Sequence, residues 1–564
     1  MRIIKAIINT ILFHIGGFLG FLFNRDYTRK ARKGKKTSER TLRKIIRKNR
    51  NTVYGKKYDF SEINSVDDYR KKVPLSTYDD YKEYVEEMRK NGTQGLITST
   101  RISWFASTSG TTGAKKLIPQ SPETYIELFK CVCILVNQSI KAMRKRKVST
   151  INVRGFLFTE VNDRMEEDDE NGSVTYFTMF AAKYMNFFLP IFTQIPKYVL
   201  ECGEIGEKEY IKARFSMADR DLKYMAGPFM STASYTVNYI EKNYEMLIED
   251  IEKGTLNPDL NISQEIRAKI EPHLKPDPQR ARELRAVFAA DQKRPLYSAI
   301  WPKMSYLTAI GGGDFEPFTR TMMSFFDDDI TINHSLYACS ESIIGCAVYP
   351  NQIKYLPLLS SAFYEFIPVD ASDRNDTRLI NELEEGKLYE LVLTTKAGLY
   401  RYQLGDVVRV VGFCGETPLV EFAYRANLVT NFYGVKLNGS SLSSCIKRLE
   451  DDYKLSVRDY SIYPNADYKN PHFEVYLELA EEVDKDTIAQ LEESFEQYMH
   501  DEHGYALYRR LGTVVPLKLF VVKNGTYYNF RNSQISAGAS ANQLKALRLI
   551  DSAEKRNYFQ KNII

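Results

Sequence analysis

Nine consecutive residues, Thr108-Ser109-Gly110-Thr111-Thr112-Gly113-Ala114-Lys115-Lys116, carry what a bound phosphate needs. Hydroxyls and amides supply donors, two glycines permit tight turns and close backbone approach, and Lys116 adds charge. No G-x-x-x-x-G-K-[ST] can be read there, so the segment is not a Walker A loop. A second group is Tyr337-Ala338-Cys339-Ser340-Glu341, downstream of Gly311-Gly312-Gly313-Asp314. A hydroxyl next to a carboxylate can hold a phosphate oxygen and Mg²⁺ side by side, as phosphoryl and nucleotidyl chemistry requires. The third group is Gly398-Leu399-Tyr400-Arg401-Tyr402-Gln403-Leu404-Gly405-Asp406, where a Gly-Asp turn offers a carboxylate to both hydroxyls of a ribose. Arg425 follows about twenty residues later. Taken singly, each has an ordinary reading: a Ser/Thr/Gly loop, a strand end, a hairpin turn and a surface arginine.

These groups need a frame. Strand patterns at 102–105, 150–158, 330–332 and 388–394 alternate with helical patterns at 125–137 and 239–253, which predicts an α/β core. Leu42, Ile45 and Ile46 repeat at helical spacing within a helical stretch over 38–81. After residue 430 the texture changes. A short helix at 442–449, strands at 456–463, 472–479 and 517–522, and a helix face of Ile488, Leu491, Phe495 and Tyr498 predict a separate α+β unit. The expected organisation is an apolar/basic segment over 1–36, a large domain over 37–425, a hinge over 426–435 and a smaller domain over 436–564.

Composition narrows the classes. The 564 residues are 43% hydrophobic and 27% charged, as in an ordinary folded protein. Residues 1–60 hold 17 basic and 3 acidic side chains, while the whole chain is only +6. The body is therefore mildly acidic, and a protein-wide nucleic-acid surface is not expected. Seven scattered cysteines without a C-x-x-C pair read as reduced thiols, hence a cytoplasmic protein. Residues 3–23 are strongly apolar but broken by Lys5, Asn9, Thr10, His14 and Gly16-Gly17. Their uninterrupted core, 15–23, is shorter than the ~20 residues a spanning helix needs. Arg25, Arg29, Lys30, Arg32, Lys33, Lys35 and Lys36 follow, with no small-x-small cleavage site. The segment reads either as a helix packed on its own domain or as an interfacial helix making peripheral membrane contact, its cations on anionic lipid.

In their order along the chain, the motifs resemble the acyl acid-amido synthetases of the auxin-responsive Gretchen Hagen family. That family lies within the acyl-adenylating superfamily of luciferases and acyl-CoA synthetases. The resemblance runs from about Thr52 to Lys545 and includes Val73-Pro74-Leu75-Ser76-Thr77-Tyr78 and Phe363-Tyr364-Glu365-Phe366. The 399–406 string is its most specific part. The resemblance implies an α/β fold with a large N-terminal adenylate-forming domain and a smaller mobile α+β C-terminal domain. It implies ATP and Mg²⁺ as cofactors, and an acyl acid and an amino acid or other amine as small-molecule partners. Thr108, Ser109, Gly110, Thr111, Thr112, Gly113 and Lys116 then cradle phosphates, and Tyr337 also binds the nucleotide. Ser340 contacts the α-phosphate, Glu341 holds Mg²⁺, Asp406 binds the ribose and Arg425 orients the nucleotide. Lys116 and Lys545 are the expected catalytic lysines. Lys545 lies in Gly538-Ala539-Ser540-Ala541-Asn542-Gln543-Leu544-Lys545; Lys436, in Gly434-Val435-Lys436-Leu437-Asn438, departs from the family pattern and reads as a surface lysine. The rival functions are a coenzyme A thioester ligase and a nucleotide-binding protein that does not catalyse.

Other constellations fail. There is no G-x-S-x-G elbow, and His273 with Asp277 sits among Pro272, Pro276 and Pro278, which read as a loop. His500-x-x-His503 has no third ligand nearby and reads as a helix end. The acidic run 166–170 reads as a solvated loop, and Phe177, Phe180, Tyr184, Phe187 and Phe188 as core or as an acyl-pocket wall.

Overall fold

Apolar residues at helical spacing start the chain on two helices, α1 (Arg2–Ala31) and α2 (Gly34–Asn49). The computed structural model describes residues 2–564 apart from 103, 109–115, 159–172, 176–188, 194–204, 291–294, 313–314, 426–429, 433–434, 438, 468–469, 502–504, 507–508, 510–513, 538, 540–543 and 545. The acidic run and the aromatic stripe lie outside the described residues. Contacts divide the chain into two units. The first holds Met1–Pro228, Tyr239–Ile310 and Phe326–Phe422; the second holds Phe229–Asn238, Gly311–Phe325 and Ala423–Ile564. Two short stretches of the earlier chain thus belong to the second unit, which no change in composition marks.

In the first unit, α1 lies antiparallel along the helix Pro122–Lys145. Phe13 packs with Ile140 and Met143, Gly17 accepts a hydrogen bond at its carbonyl from Asn137 Nδ2 (2.8 Å), and Tyr27 donates to Glu127 (2.6 Å). Gly20 sits against the backbone of Cys133 so closely that any Cβ would collide with it. Asn9, which interrupts the apolar run, is fully buried and hydrogen-bonds the backbone of Val153 through both amide atoms.

The strands fall into small sheets. β1 (Trp104–Thr108) pairs antiparallel with β2 (Lys116–Pro119). Strands β3 (Gly155–Leu157), β5 (Tyr224–Phe229), β6 (Tyr306–Ile310) and β7 (Thr331–Asn333) form one sheet, and β4 (Ser173–Thr175) runs parallel to β1. β8 (Leu336–Ala338), β9 (Ile343–Cys346) and β10 (Leu356–Pro357) form a meander. An extensive core surrounds β11 (Ala362–Pro368), β12 (Leu388–Thr395), β13 (Tyr402–Cys414) and β14 (Thr417–Arg425), in that sheet order.

Two expected strands are shorter or shifted for identifiable reasons. Within 150–158 only β3 forms, because Asn9 and Thr10 of α1 take the backbone groups of Asn152 and Val153. β1 starts at Trp104 rather than 102, because the Gln94 side chain holds both backbone groups of Ile102. The proline-flanked stretch at 271–278 is a 3₁₀ turn, Glu271–His273, leading into the helix Pro278–Ala289, whose N-cap is Asp277.

In the second unit, β15 (Thr430–Phe432) and β16 (Val435–Leu437) form a hairpin whose Phe432, Val435 and Leu437 are buried. β17 (Val457–Asn465) pairs antiparallel with β18 (His472–Leu479), and β18 parallel with β19 (Lys518–Val522). The helices Gly439–Tyr453 and Lys485–His500 share this core through Leu449, Leu491 and Phe495. His500 closes its helix within 3.3 Å of Glu496.

Candidate active site

The register of β1 on β2 sets Thr108 opposite Lys116, so residues 109–115 join two strand ends held side by side. The Lys116 ammonium lies 5.5 Å from the centre of the Tyr78 ring, whose hydroxyl accepts the Leu117 N–H at 2.9 Å. Among the described residues, no carboxylate is within ion-pair distance of Lys116. The side chain of Thr108, together with Ser109, Gly110, Thr111, Thr112, Gly113 and Lys545, lies outside the described residues. Lys436 is described only as a backbone position in β16.

Ser340 and Glu341 form the tip of the turn between β8 and β9, closed by the Cys339 N–H donating to Ser342 O at 3.0 Å. Both tip residues are half-buried. Gln120, just past β2, donates its side-chain amide to the Ser340 carbonyl and so ties the hairpin to this turn. From β8, the Tyr337 hydroxyl donates to Asp406 Oδ2 at 3.0 Å. The Tyr402 hydroxyl reaches Glu341 Oε1 at 3.4 Å. Side chains from around residues 116, 340 and 406 are therefore linked within one unit. Arg425 ends β14 and is counted with the second unit.

Asp406 reaches this place on a bulge rather than on the expected hairpin turn. Glu390 pairs with Val407 but Val392 pairs with Gln403, so Leu391 faces three residues, Leu404 to Asp406, where a regular ladder sets one. Gly405 takes a φ of 79°, which an L side chain adopts only with strain. The strand then continues through buried Val407, Val408 and Val410 instead of ending.

The preceding residues hold the bulge in place. Arg401 is buried with a left-handed φ of 46° and donates from Nε and Nη2 to the two oxygens of Glu365, both at 3.1 Å. Arg70 and Thr377 donate to the same carboxylate at 3.0 and 2.7 Å, and Arg401 Nη1 donates to Val73 O. Tyr400 stacks on Tyr54 at 4.8 Å and donates to Ile97 O. Ser76 bridges the backbone on both sides of Tyr402. In the Tyr-Arg-Tyr string, then, Tyr400 and Arg401 are anchors and only Tyr402 reaches the site.

A cleft of ≈ 10 Å³ adjoins Glu341, lined among others by Thr124, Glu127, Thr395 and Lys396. It has room for about one water and none for an acyl group. Burial pushes the Lys396 ammonium below its ordinary pKa. Burial, reinforced by the Glu341 and Asp406 carboxylates, pushes the Cys339 thiol far up, which leaves it inert as a nucleophile. Sequence reasoning missed Gln120, Lys396 and the Glu365–Arg401 pair. Gln120 carries no spacing signal at all, whereas Glu365 and Arg401 lie in motifs already singled out.

Family models match the chain in three consecutive parts: the GH3 family N-terminal domain over residues 25–331, the central domain over 355–425 and the C-terminal domain over 440–554. The chain belongs to the GH3 family. This is the family that the ordered motifs resemble. Indole-3-acetic acid-amido synthetase GH3.8 of Oryza sativa subsp. indica is 26% identical over 546 residues, covering 91% of this chain and 87% of that protein. The 4-substituted benzoates-glutamate ligase GH3.12 of Arabidopsis thaliana is 24% identical over 551 residues, covering 92% and 93%. Among solved structures, GH3.15 acyl acid amido synthetase matches with a TM-score of 0.82 at 22% identity, over 97% of this GH3 chain and 96% of that one. A 2-hydroxyisobutyryl-CoA ligase in its postadenylation state matches with a TM-score of 0.50 at 12% identity, over 92% and 90%. The fold is thus that of the adenylate-forming enzymes, with a large N-terminal and a smaller C-terminal domain.

Proposed function

We propose that this GH3 protein is an ATP- and Mg²⁺-dependent acyl acid-amido synthetase of the cytoplasm. It adenylates a small carboxylic acid and transfers the acyl group to an amine, foremost that of an amino acid. One observation carries the reading: the Tyr337–Asp406 hydrogen bond stands beside the Ser340-Glu341 turn, which Gln120 ties to the 108–116 hairpin. Three segments far apart in sequence, suited to ribose, Mg²⁺ and phosphate, meet in one unit. The names of the relatives, acid-amido synthetases and a benzoates-glutamate ligase, support the same reaction class.

A carboxylate resists attack because its leaving group is oxide. In the first step a substrate carboxylate oxygen attacks the α-phosphorus of ATP, and pyrophosphate leaves with the electrons of the broken P–O bond. The 108–116 hairpin holds the phosphates, with Lys116 opposing their charge, and Ser340 holds an α-phosphate oxygen. Asp406, oriented by Tyr337, accepts from the ribose hydroxyls. Glu341 fits Mg²⁺, which is commonly held by one or two carboxylates together with substrate phosphates. Bound there, the ion neutralises phosphate charge. In the second step the amine attacks the acyl carbon, AMP leaves, and the amine gives up a proton. Arg425 and Lys545 belong to this reading through the family resemblance alone.

The test is pyrophosphate release from ATP, Mg²⁺ and a panel of carboxylic acids, with and without mixed amino acids. Acid-dependent release and amide product are expected, with kcat falling about 10²–10³-fold in Asp406→Ala. Product only with coenzyme A replaces the reading with a thioester ligase. ATP binding without release across the panel replaces it with a non-catalytic binder.

A further inference from the structure

The outward face of α1 is the least expected surface of the molecule. Ile3, Ile4, Ile7, Ile8, Ile11, Ile15, Phe18, Phe21 and Leu22 are each more than 40% exposed, from Leu22 at 41% to Ile3 at 77%. They recur at intervals of three and four residues, and so form a stripe along the helix. Over the nineteen residue-to-residue steps from Ile3 to Leu22, at 1.5 Å each, the stripe is about 28 Å long. Ile126 and Phe129 on the neighbouring helix are 53% and 55% exposed, and Phe129 lies edge-on to Phe23, so the apolar surface continues sideways. Ile151, 65% exposed, adjoins the other end, next to the Asn152 N–H that Thr10 holds.

Charge says what covers this face. Immediately past the stripe come Arg25, Arg29, Lys30, Arg32, Lys33, Lys35 and Lys36 against a single acid, Asp26. That acid is shared between Arg29 and Lys30. Arg25, Arg29, Arg32, Lys33, Lys35 and Lys36 are all exposed. An apolar stripe that ends in a cationic cluster matches the acyl boundary and anionic headgroups of one lipid leaflet.

The helix is apolar and long enough to cross a membrane. Its inner face argues for another arrangement. Asn9 is hydrogen-bonded to Val153 and Ile191, Gly17 to Asn137 and Tyr27 to Glu127, and Gly20 lies on the Cys133 backbone. A spanning helix would have to leave all of these partners. We propose that α1, seated on its domain, is a monotopic membrane anchor that lies in the plane of an anionic leaflet, with its stripe in the acyl region and residues 25–36 at the headgroups. This surface is independent of the proposed reaction and is tested without ATP.

The experiment is co-sedimentation of the full chain with phosphatidylcholine vesicles and with vesicles containing 30% phosphatidylserine, at low and high salt. Binding to the anionic vesicles is expected, weakened by salt. Ile7→Asp/Ile11→Asp/Phe18→Asp should reduce it at least tenfold. Arg25→Gln/Arg29→Gln/Lys33→Gln/Lys36→Gln, which leaves the stripe intact, should reduce it about fivefold per cation removed and flatten the salt dependence. Equal pelleting of the wild type and both variants overturns the proposal. So does a lipid-free dimer by light scattering that the aspartate variant dissolves, because a second copy then covers the stripe. Resistance of cell-membrane-bound protein to alkaline carbonate also overturns it, in favour of a spanning helix.

Discussion

Arg401 and Ile3 invert the usual rule. The arginine, in the turn just before β13, is 2% exposed, whereas the isoleucine, in the strongly apolar helix α1, is 77% exposed. The difference lies in what each neighbourhood supplies. Around residue 401 the fold brings a carboxylate, a threonine hydroxyl and backbone carbonyls to every part of the guanidinium, so a buried charge is tolerated. Along α1 the fold supplies partners, chiefly the helix Pro122–Lys145 with Val153 and Ile191, on one face alone. Residue type alone predicts neither outcome.

The comparison can be broken at its strongest point by Glu365→Ala, which strands both Arg401 and part of Arg70 without their acid. The expected loss is about 3–5 kcal/mol of unfolding free energy, measured by urea denaturation. A loss below 1 kcal/mol means that the buried pair does not hold the 398–406 segment. Next comes Asn9→Ala on the inner face of α1, which leaves backbone groups of Val153 unpaired and should cost about 1–3 kcal/mol.

His334 is the intermediate case: it is buried, and burial alone pushes its pKa down to about 4. The folded state thus favours the neutral imidazole. The contribution is complete above the unfolded value near 6.5 and is lost as pH falls from there towards 4. Between pH 7.5 and 5.5 the wild type should lose roughly 1 kcal/mol more than His334→Gln, read from urea midpoints. Identical pH slopes refute the account. The smallest effect is expected for Ile11→Asp on the outer face, within about 0.5 kcal/mol of wild type in the absence of lipid. A loss comparable to that of Asn9→Ala shows instead that the stripe is covered by the protein itself.

Several features were legible from residue order. The strand at 472–479 is β18 to the residue, and the helices at 125–137 and 239–253 exist and extend further, to Pro122–Lys145 and Met230–Lys253. These segments combine strong periodicity with partners that accept it. The strand expected at 150–158 is shortened to β3 because side chains of α1, more than 140 residues earlier, take the backbone N–H groups of Asn152 and Val153. At the site, motif chemistry named Tyr337, Ser340, Glu341 and Asp406, but not which of them touch. It also ranked Tyr400 and Arg401 with Tyr402, although two of the three point into the core.

By itself the sequence determined the candidate chemistry: donors and a lysine at 108–116, a hydroxyl beside a carboxylate at 340–341, an aspartate at 406, in the order that resembles the family. It also determined that residues 3–23 would be helical and apolar, with cations after them. Only the tertiary structure decided that Asp406 stands on a bulge against Tyr337, that Gln120 joins the hairpin to the turn, and that the apolar stripe faces outward. The physical reason is range. Propensity and periodicity act over a few residues, whereas hydrogen bonds such as Gln120 to Ser340 and packing such as Gly20 on Cys133 join positions more than a hundred residues apart.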